Sequence, residues 1–322
     1  MTSIKHGRFG QQVLAAMIAS ACVMCARGQS QSQIVGYIPV SDVQTNNVML
    51  HDTDGRPFDV FNSLCYEIQD GVAVILGYVG TNSTVHLPAM IAGCPVKVAE
   101  PMVASIIARI TVSDTNKDHK AIDGVLFTGG GAVLVQYPEA SKRRQYVIPD
   151  AVTTIGARAF SRSTSLTSVI LPVGVTSIGD GAFSCCSVLS TIDVDTKNKV
   201  YSSLDGVLFD KMRTRLIRCP GGKSGSFIVP VGVSDIAPMS FAGCTKLSTI
   251  RIPPSVTRVS LIAFKYCEGL TALYFEGDAP FLTDNNWDST SKRFTSYRRP
   301  DAKGWGETFG GRPVEVWAED KR

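Results

Sequence analysis

A stencil that recurs at a fixed step constrains this chain more than any other feature. It reads Pro-x-x-Val-x-x-Ile, then Phe, then Leu-x-x-(Val/Ile)-x-(Leu/Ile/Val), and Pro149, Pro172, Pro230 and Pro253 each start a copy. The step from Pro149 to Pro172 and from Pro230 to Pro253 is the same twenty-three positions. Six residues after the Pro stand Ile155, Ile178, Ile236 and Val259; eleven after it, Phe160, Phe183, Phe241 and Phe264. Seventeen after it come Leu166, Leu189, Leu247 and Leu270. The copy ends on Val169, Ile192, Ile250 and Leu273 at position twenty, and on Leu171, Val194, Ile252 and Phe275 at position twenty-two. One copy cannot bury so many apolar groups alone, but stacked copies can, each large residue meeting its equivalent in the next coil. The last six positions alternate as a short strand with one inward face does. The Ala-Phe stretch reads as a helical turn or tight bend on the opposite wall.

Copies such as IPDAVTTIGARAFSRSTSLTSVI (148–170), LPVGVTSIGDGAFSCCSVLSTIDV (171–194) and VPVGVSDIAPMSFAGCTKLSTIRI (229–252) resemble bacterial BspA-type leucine-rich repeats. The resemblance implies a repeat solenoid of short parallel β-strands with helical turns and β-hairpin inserts. It covers roughly residues 64–317.

The stencil is interrupted. Ile122-Asp123-Gly124-Val125-Leu126-Phe127 with Leu134-Val135 and Pro138 recurs at one constant offset as Leu204-Asp205-Gly206-Val207-Leu208-Phe209 with Leu216-Ile217 and Pro220. Each segment reads as two apolar runs around a Gly-rich or charged turn, a β-hairpin embedded in the wall, at about 113–147 and 195–229. Upstream, Tyr66–Ile68, Val72–Tyr78 and Val85–Pro88 read as three strands. Gly93-Cys94-Pro95-Val96-Lys97-Val98 opens a degenerate first repeat with Val103 in the Phe position, as befits a terminal cap facing water. The organisation expected is a signal segment at 1–28, an unassigned segment at 29–63, a solenoid at 64–280, and an irregular loop with a C-terminal cap at 281–322.

Lys5 and Arg8 precede an apolar run from Val13 to Ala26, the layout of a secretory signal peptide. The run is shorter than a comfortable membrane-spanning helix, and no later run is long enough to span. A secreted or cell-surface location is the expectation. Ala19-Ser20-Ala21-Cys22 lacks the Leu that normally precedes a lipidated Cys, which argues against anchoring at Cys22. Residues 1–28 hold three of the 32 basic residues and none of the 28 acidic ones, so without them the net charge falls from +4 to +1. That balance gives no electrostatic case for nucleic acid. Of the seven later cysteines, Cys186, Cys244 and Cys267 share position fourteen of the repeat, where the first copy has Ser163. Alternation of Cys with Ser fits a small buried group filling a ladder. Cys244 and Cys267, in adjacent coils, are the pair a disulfide would join.

Candidate chemistry is sparse. His51, His86 and His119 show no H-x-x-x-H or H-E-x-x-H spacing. Gly221-Gly222-Lys223-Ser224 lacks the upstream Gly of a phosphate loop, and its counterpart Glu139-Ala140-Ser141-Lys142 is an ordinary turn. Asp193-x-Asp195 and Asp52-x-Asp54-Gly55 lack the remaining positions of a calcium loop. No catalytic residue, metal ligand or cofactor site is assigned. An enzyme acting on extracellular polymers would need paired carboxylates in a cleft.

A surface is the better candidate. In the strand, residues between the inward ones point outward. These are Ile170, Asp193, Arg251 and Tyr274 at position twenty-one, and Ser168, Thr191, Thr249 and Ala272 at position nineteen. Position twenty-one carries four chemical types while its inward neighbours keep one, and Arg and Tyr are residues that anchor interfaces. The function expected is non-catalytic recognition of a protein or glycan, host or extracellular matrix among them, on the outward strand face. The alternative is a structural, envelope-associated repeat protein with no discrete ligand.

Overall fold

The computed structural model describes residues 49–51, 57–61, 63–78, 80–99, 101–102, 106–284 and 294–317. Residues 1–28, where a signal segment is expected, Cys22, Asp52-x-Asp54-Gly55 and Val103 lie outside the described residues. The chain divides between Gly130 and Gly131 into two compact units.

In the first unit, strands Met49–His51, Pro57–Phe61, Leu64–Gln69 and Val72–Tyr78 form an antiparallel meander. Cys94–Val98 then adds in parallel to Val72–Tyr78, and Thr84–Leu87 pairs in parallel with Arg109–Val112. His119–Ile122 and Val125–Thr128 close a hairpin over Asp123-Gly124, whose φ values are 51° and 80°.

The second unit is a β-solenoid of leucine-rich-repeat type. One wall starts as Gln145–Val147, Ser168–Leu171 and Thr191–Val194, parallel and paired one repeat apart. After the insert the same wall resumes as Gly225–Ile228, Leu247–Ile252, Ala272–Phe275, Thr295–Arg298 and Arg312–Val316. A second wall is built of two-residue strands at position five of each copy: Thr154–Ile155 pairs with Ser177–Ile178, and Asp235–Ile236 with Arg258–Val259. Phe281–Leu282 extends the second wall, so 281–282 and 295–298 are strands where the sequence suggests an irregular loop.

The third side is turns. Backbone bonds from alternate residues link its coils, such as Phe160 N to Ala182 O and Arg162 N to Ser184 O, or Phe241 N to Ala263 O and Gly243 N to Lys265 O. Inside, the phenylalanine rings stack, Phe160 on Phe183 at 5.1 Å and Phe241 on Phe264 at 5.6 Å, with planes within 15°. Truncating one such ring to Ala removes about 3–5 kcal/mol of burial and packing. Corner hydroxyls double the backbone bonds: Thr176 Oγ1 donates to Thr153 O, Thr257 Oγ1 to Ser234 O, Ser190 Oγ to Thr167 O and Thr271 Oγ1 to Ser248 O.

Helical turns are nearly absent; among the described residues the one helix is the 3₁₀ turn Leu261–Phe264. The reason is position nine. Arg158, Gly181 and Met239 adopt φ of 55°, 62° and 59° there, which breaks any helix, while the fourth copy has Ile262. A β-branched residue resists the left-handed region, so this copy winds instead.

The second insert contains a turn that the apolar pattern hides. Leu204 to Phe209 is not one run: Asp205 and Gly206, at φ 50° and 74°, form a two-residue turn between antiparallel strands Tyr201–Leu204 and Val207–Asp210. Asp-Gly supplies the two positive φ values that a twisted hairpin needs. Val207–Asp210 then pairs antiparallel with Arg215–Arg218, which joins the second wall beside Asp235–Ile236. Two inward positions are left partly exposed by this interruption. Ile178 and Val194 belong to the last coil before the insert and are not fully covered, whereas Ile155, Ile236 and Val259 are buried.

Candidate functional site

The outward face of the first wall is two stripes, not one. Ile170 is directly paired with Asp193, and Ser168 with Thr191. On the far side of Asp193, the Asp205-Gly206 turn covers the strand edge: Ile192 N donates to Gly206 O at 2.8 Å and Val194 N to Ser203 Oγ at 3.1 Å. A Cβ on Gly206 would sit 2.8 Å from Thr191 Cα, so only glycine allows that approach. The second stripe starts afresh at Ile228 and runs through Arg251, Tyr274 and Tyr297 to Glu315. Asp193 therefore does not share a surface pairing with Arg251. At position nineteen, Thr249 bonds Ser226 through their hydroxyls, and Ala272 is buried, not outward-exposed.

The second stripe is the chemically richer one. Tyr274 stacks on Tyr297 at 5.0 Å and meets Trp317 at 5.1 Å. The guanidinium groups of Arg251 and Arg299 lie 4.9 Å and 5.3 Å from the Trp317 ring centre. Both arginines share Glu276, at 3.4 Å and 3.9 Å. Trp317 is held by its backbone N donating to Arg298 O at 2.7 Å. Such a cluster offers aromatic faces with a polar tip and planar cation forks, suited to stacking on sugars or side chains and to bonding carboxylates. Tyr297, Arg299 and Trp317 lie beyond the last stencil copy, so the stencil assigns them no place on this face; Arg298-Arg299 reads from sequence only as a short basic cluster in a solvated loop. Beneath, Phe275 packs on Trp305 and Phe309 at 4.9 Å and 5.0 Å and closes the core end.

On the other side of the coil, a cavity of about 340 Å³ opens where the insert breaks the second wall, between Ile178–Phe183 and Ala237–Met239. Asp180 is the one carboxylate in its lining, so no acid pair is placed there. Arg218 lines it too, 4% exposed, donating to the carbonyl oxygens of Phe183, Met239 and Ala242 at 2.7, 2.6 and 2.6 Å. It joins the coil before the insert to the coil after it.

The seven described cysteines are free thiols. Those at position fourteen point to carbonyls: Cys186 Sγ donates to Phe160 O and Cys267 Sγ to Phe241 O. Burial pushes the Cys186 thiol up to about 12, which keeps the S–H donor in place. Ser163 occupies the same rung and bonds Phe160 O. His86 bonds Thr111 across paired strands, and His119 is buried in the first unit, its pKa lowered by that burial. The two histidines are not brought to a shared nucleophile. Among the described residues no group of three or more His, Cys, Asp or Glu is placed to hold a metal ion.

Glu139 is buried, and desolvation raises its carboxyl from 4.5 to about 7, against a smaller opposing effect of Arg162. Below pH 4.5 the group is neutral folded or unfolded; between 4.5 and 7 the unfolded chain ionises first, so stability falls as pH rises through that window. Glu139→Gln is expected to flatten the stability–pH curve there and to stabilise the second unit at pH 7.5 by roughly 1–3 kcal/mol, read from urea denaturation.

A stacked, three-sided coil with parallel strand ladders is a leucine-rich-repeat solenoid. Residues 139–210 and 222–292 match the model of the BspA type leucine rich repeat region in six copies, and this repeat region belongs to that family. No curated protein matches the chain. Among solved structures it is similar to a leucine rich cell surface protein of Faecalibacterium prausnitzii (18% identity, 82% of this chain and 95% of that one, TM-score 0.40). A leucine-rich repeat protein of Eubacterium ventriosum is similar at 21% identity, over 80% and 78% of the two chains, TM-score 0.40. The pneumococcal vaccine antigen PcpA is similar at 14% identity over 73% of this chain, TM-score 0.42, and the chain spans 56% of that antigen's chain. No helix among the described residues is long and apolar enough to cross a membrane.

Proposed function

We propose that this chain is a non-catalytic recognition protein, secreted or held at the cell surface, that binds a protein or glycan on its outward strand face. The observation that carries this reading is the cluster of Tyr274, Tyr297 and Trp317 with Arg251 and Arg299. The coil needs its inward groups for stability and leaves the outward positions open to variation, and here those positions gather large aromatic and arginine side chains of the kind that anchor interfaces.

The test is a screen of the chain against immobilised extracellular-matrix proteins and a glycan array. Arg251→Ala with Tyr274→Ala is expected to weaken a hit at least tenfold, the order of an interface anchor, while Asp193→Ala, on the separate stripe, leaves it unchanged. Equal binding by a folded Arg251→Ala/Tyr274→Ala chain would move the site off this face. Binding to nothing would leave the structural, envelope-associated role ahead.

A further inference from the structure

The second insert assembles a surface that the near-neutral charge of the chain conceals. Lys211 N donates to Val200 O at 2.8 Å and Lys211 Nζ to Thr196 O at 3.1 Å, so the turn at 211–214 lies against the segment 196–200. Arg213 Nη2 reaches Ser203 O at 3.2 Å. Lys197, Lys199, Lys211 and Arg213 are thereby brought together, all exposed. Among the described residues none of the four pairs with a carboxylate. The acids of these turns bond backbone N–H groups, a hydroxyl or Arg215 and not the four cationic side chains. Asp195 accepts the Lys197 N–H, Asp210 accepts Thr214 Oγ1 and the Arg215 N–H, and Asp235 pairs with Arg215.

The same edge is apolar at its rim. Met212, at the tip of the turn, is 78% exposed. Ser234 N bonds Thr214 O at 2.8 Å, which sets the turn carrying Val231, 89% exposed, next to the turn carrying Met212. On the other flank, Asn198 Nδ2 donates to Val173 O at 3.3 Å, which places Val173, 47% exposed, beside Lys197 and Lys199. Consecutive turns thus line up Val173, Met212 and Val231 along one edge, among four cations that pair with no carboxylate among the described residues. Asp150 closes the row beyond Val173, its carbonyl 3.1 Å from where a Cβ on Gly174 would sit.

The geometry points to this edge as a docking surface for an anionic lipid bilayer. Aliphatic tips on a protruding row reach the acyl boundary, while the lysines and the arginine sit at the depth of negative headgroups. A soluble acidic chain would use the cations but gives no role to three exposed aliphatic side chains. The surface is distinct from the outward strand face, so the chain can hold a partner there while its edge rests on a membrane.

Sedimentation of the full chain with vesicles tests this. Vesicles of phosphatidylcholine with phosphatidylserine are expected to bind at least about tenfold more protein than phosphatidylcholine alone, with the excess lost at high salt. The combined variant Lys197→Gln, Lys199→Gln, Lys211→Gln, Arg213→Gln is expected to abolish that excess. Met212→Ser with Val231→Ser is expected to weaken binding several-fold with the charges intact. These positions are exposed, so circular dichroism and thermal midpoint should stay at wild type. Equal binding to both vesicle types, or binding that survives the charge variant, overturns the proposal. Retention on a sulfated glycan matrix with no vesicle binding also overturns it and reassigns the edge to a polyanionic glycan. Arg251→Ala with Tyr274→Ala should sediment as wild type, so failure here and failure on the strand face are separable.

Discussion

Arg218→Met is expected to cost the second unit on the order of 3–5 kcal/mol and to split its unfolding into two transitions. The guanidinium spans the place where the insert interrupts the coil ladder. On one side it holds Phe183 O, on the other Met239 O and Ala242 O. Elsewhere backbone amides do this, as Arg162 N does for Ser184 O. Methionine fills similar volume but leaves Phe183 O and Ala242 O without this donor in a buried place, at about 1–3 kcal/mol each before any relaxation, while Met239 O keeps the Ala242 N–H. In a solenoid each coil is stabilised by its neighbours, so weakening one junction uncouples the flanking blocks. Arg218→Lys should recover only part of the loss, because a single ammonium cannot reproduce the planar fork that reaches both coils. Urea denaturation followed by far-ultraviolet circular dichroism reads both effects. A single transition within about 0.5 kcal/mol of wild type, the range of an inconsequential surface substitution, would show that the coils hold together without this side chain.

What was legible in the sequence was what recurs with the repeat. Phe160, Phe183, Phe241 and Phe264 stack as their spacing suggests, and Leu166 to Leu270 are buried, because a repeated apolar residue has its own copy as packing partner. Devices that occur once per insert were not legible that way. Arg218 takes in the second insert the place that the buried Gln136 holds in the first, and only a comparison of the inserts sets the two side by side. The Asp205-Gly206 turn hid inside a run of apolar letters, and with it the separation of Asp193 from Arg251. The corner hydroxyls at positions four and eighteen, from Thr153 to Thr271, were periodic but polar, so a reading tuned to burial passed over them. Trp317 joins Arg251 and Tyr274 through strand pairing beyond the last Pro, where no stencil extends. The basic edge needed the hairpin itself, since Lys199 and Lys211 are well separated along the chain.

Asn198→Ala is the second large effect expected, about 3–5 kcal/mol, and its cause is different. Asn198 is fully buried at the entrance to the insert. Its Nδ2 donates to Pro172 O, Val173 O and Val175 O at 3.1, 3.3 and 2.9 Å, and its Oδ1 accepts from Val200 N and Tyr201 N at 2.9 and 2.8 Å. One amide thus satisfies both the corner of the preceding coil and the start of the hairpin. Asn116, at the matching place in the first insert, repeats the arrangement: Nδ2 to Pro88 O, Oδ1 from Asp118 N and His119 N. Alanine removes all five bonds, leaving the buried Val175 O without this donor and the part-buried Val200 and Tyr201 N–H groups without this acceptor. Asn198→Asp separates the two halves of the amide's role. The introduced carboxylate still accepts from Val200 and Tyr201 but faces three carbonyls with no proton to give. Its ionised form is therefore disfavoured in the folded chain, its pKa is raised there, and stability should recover as pH falls through that raised value. Thermal midpoints of Asn198→Asp and Asn198→Ala across pH 4 to 8 would show it, the first rising on acidification relative to the second. Parallel curves would mean that the carbonyls of the corner do not need the amide, and that the hairpin is held by its strand pairing alone.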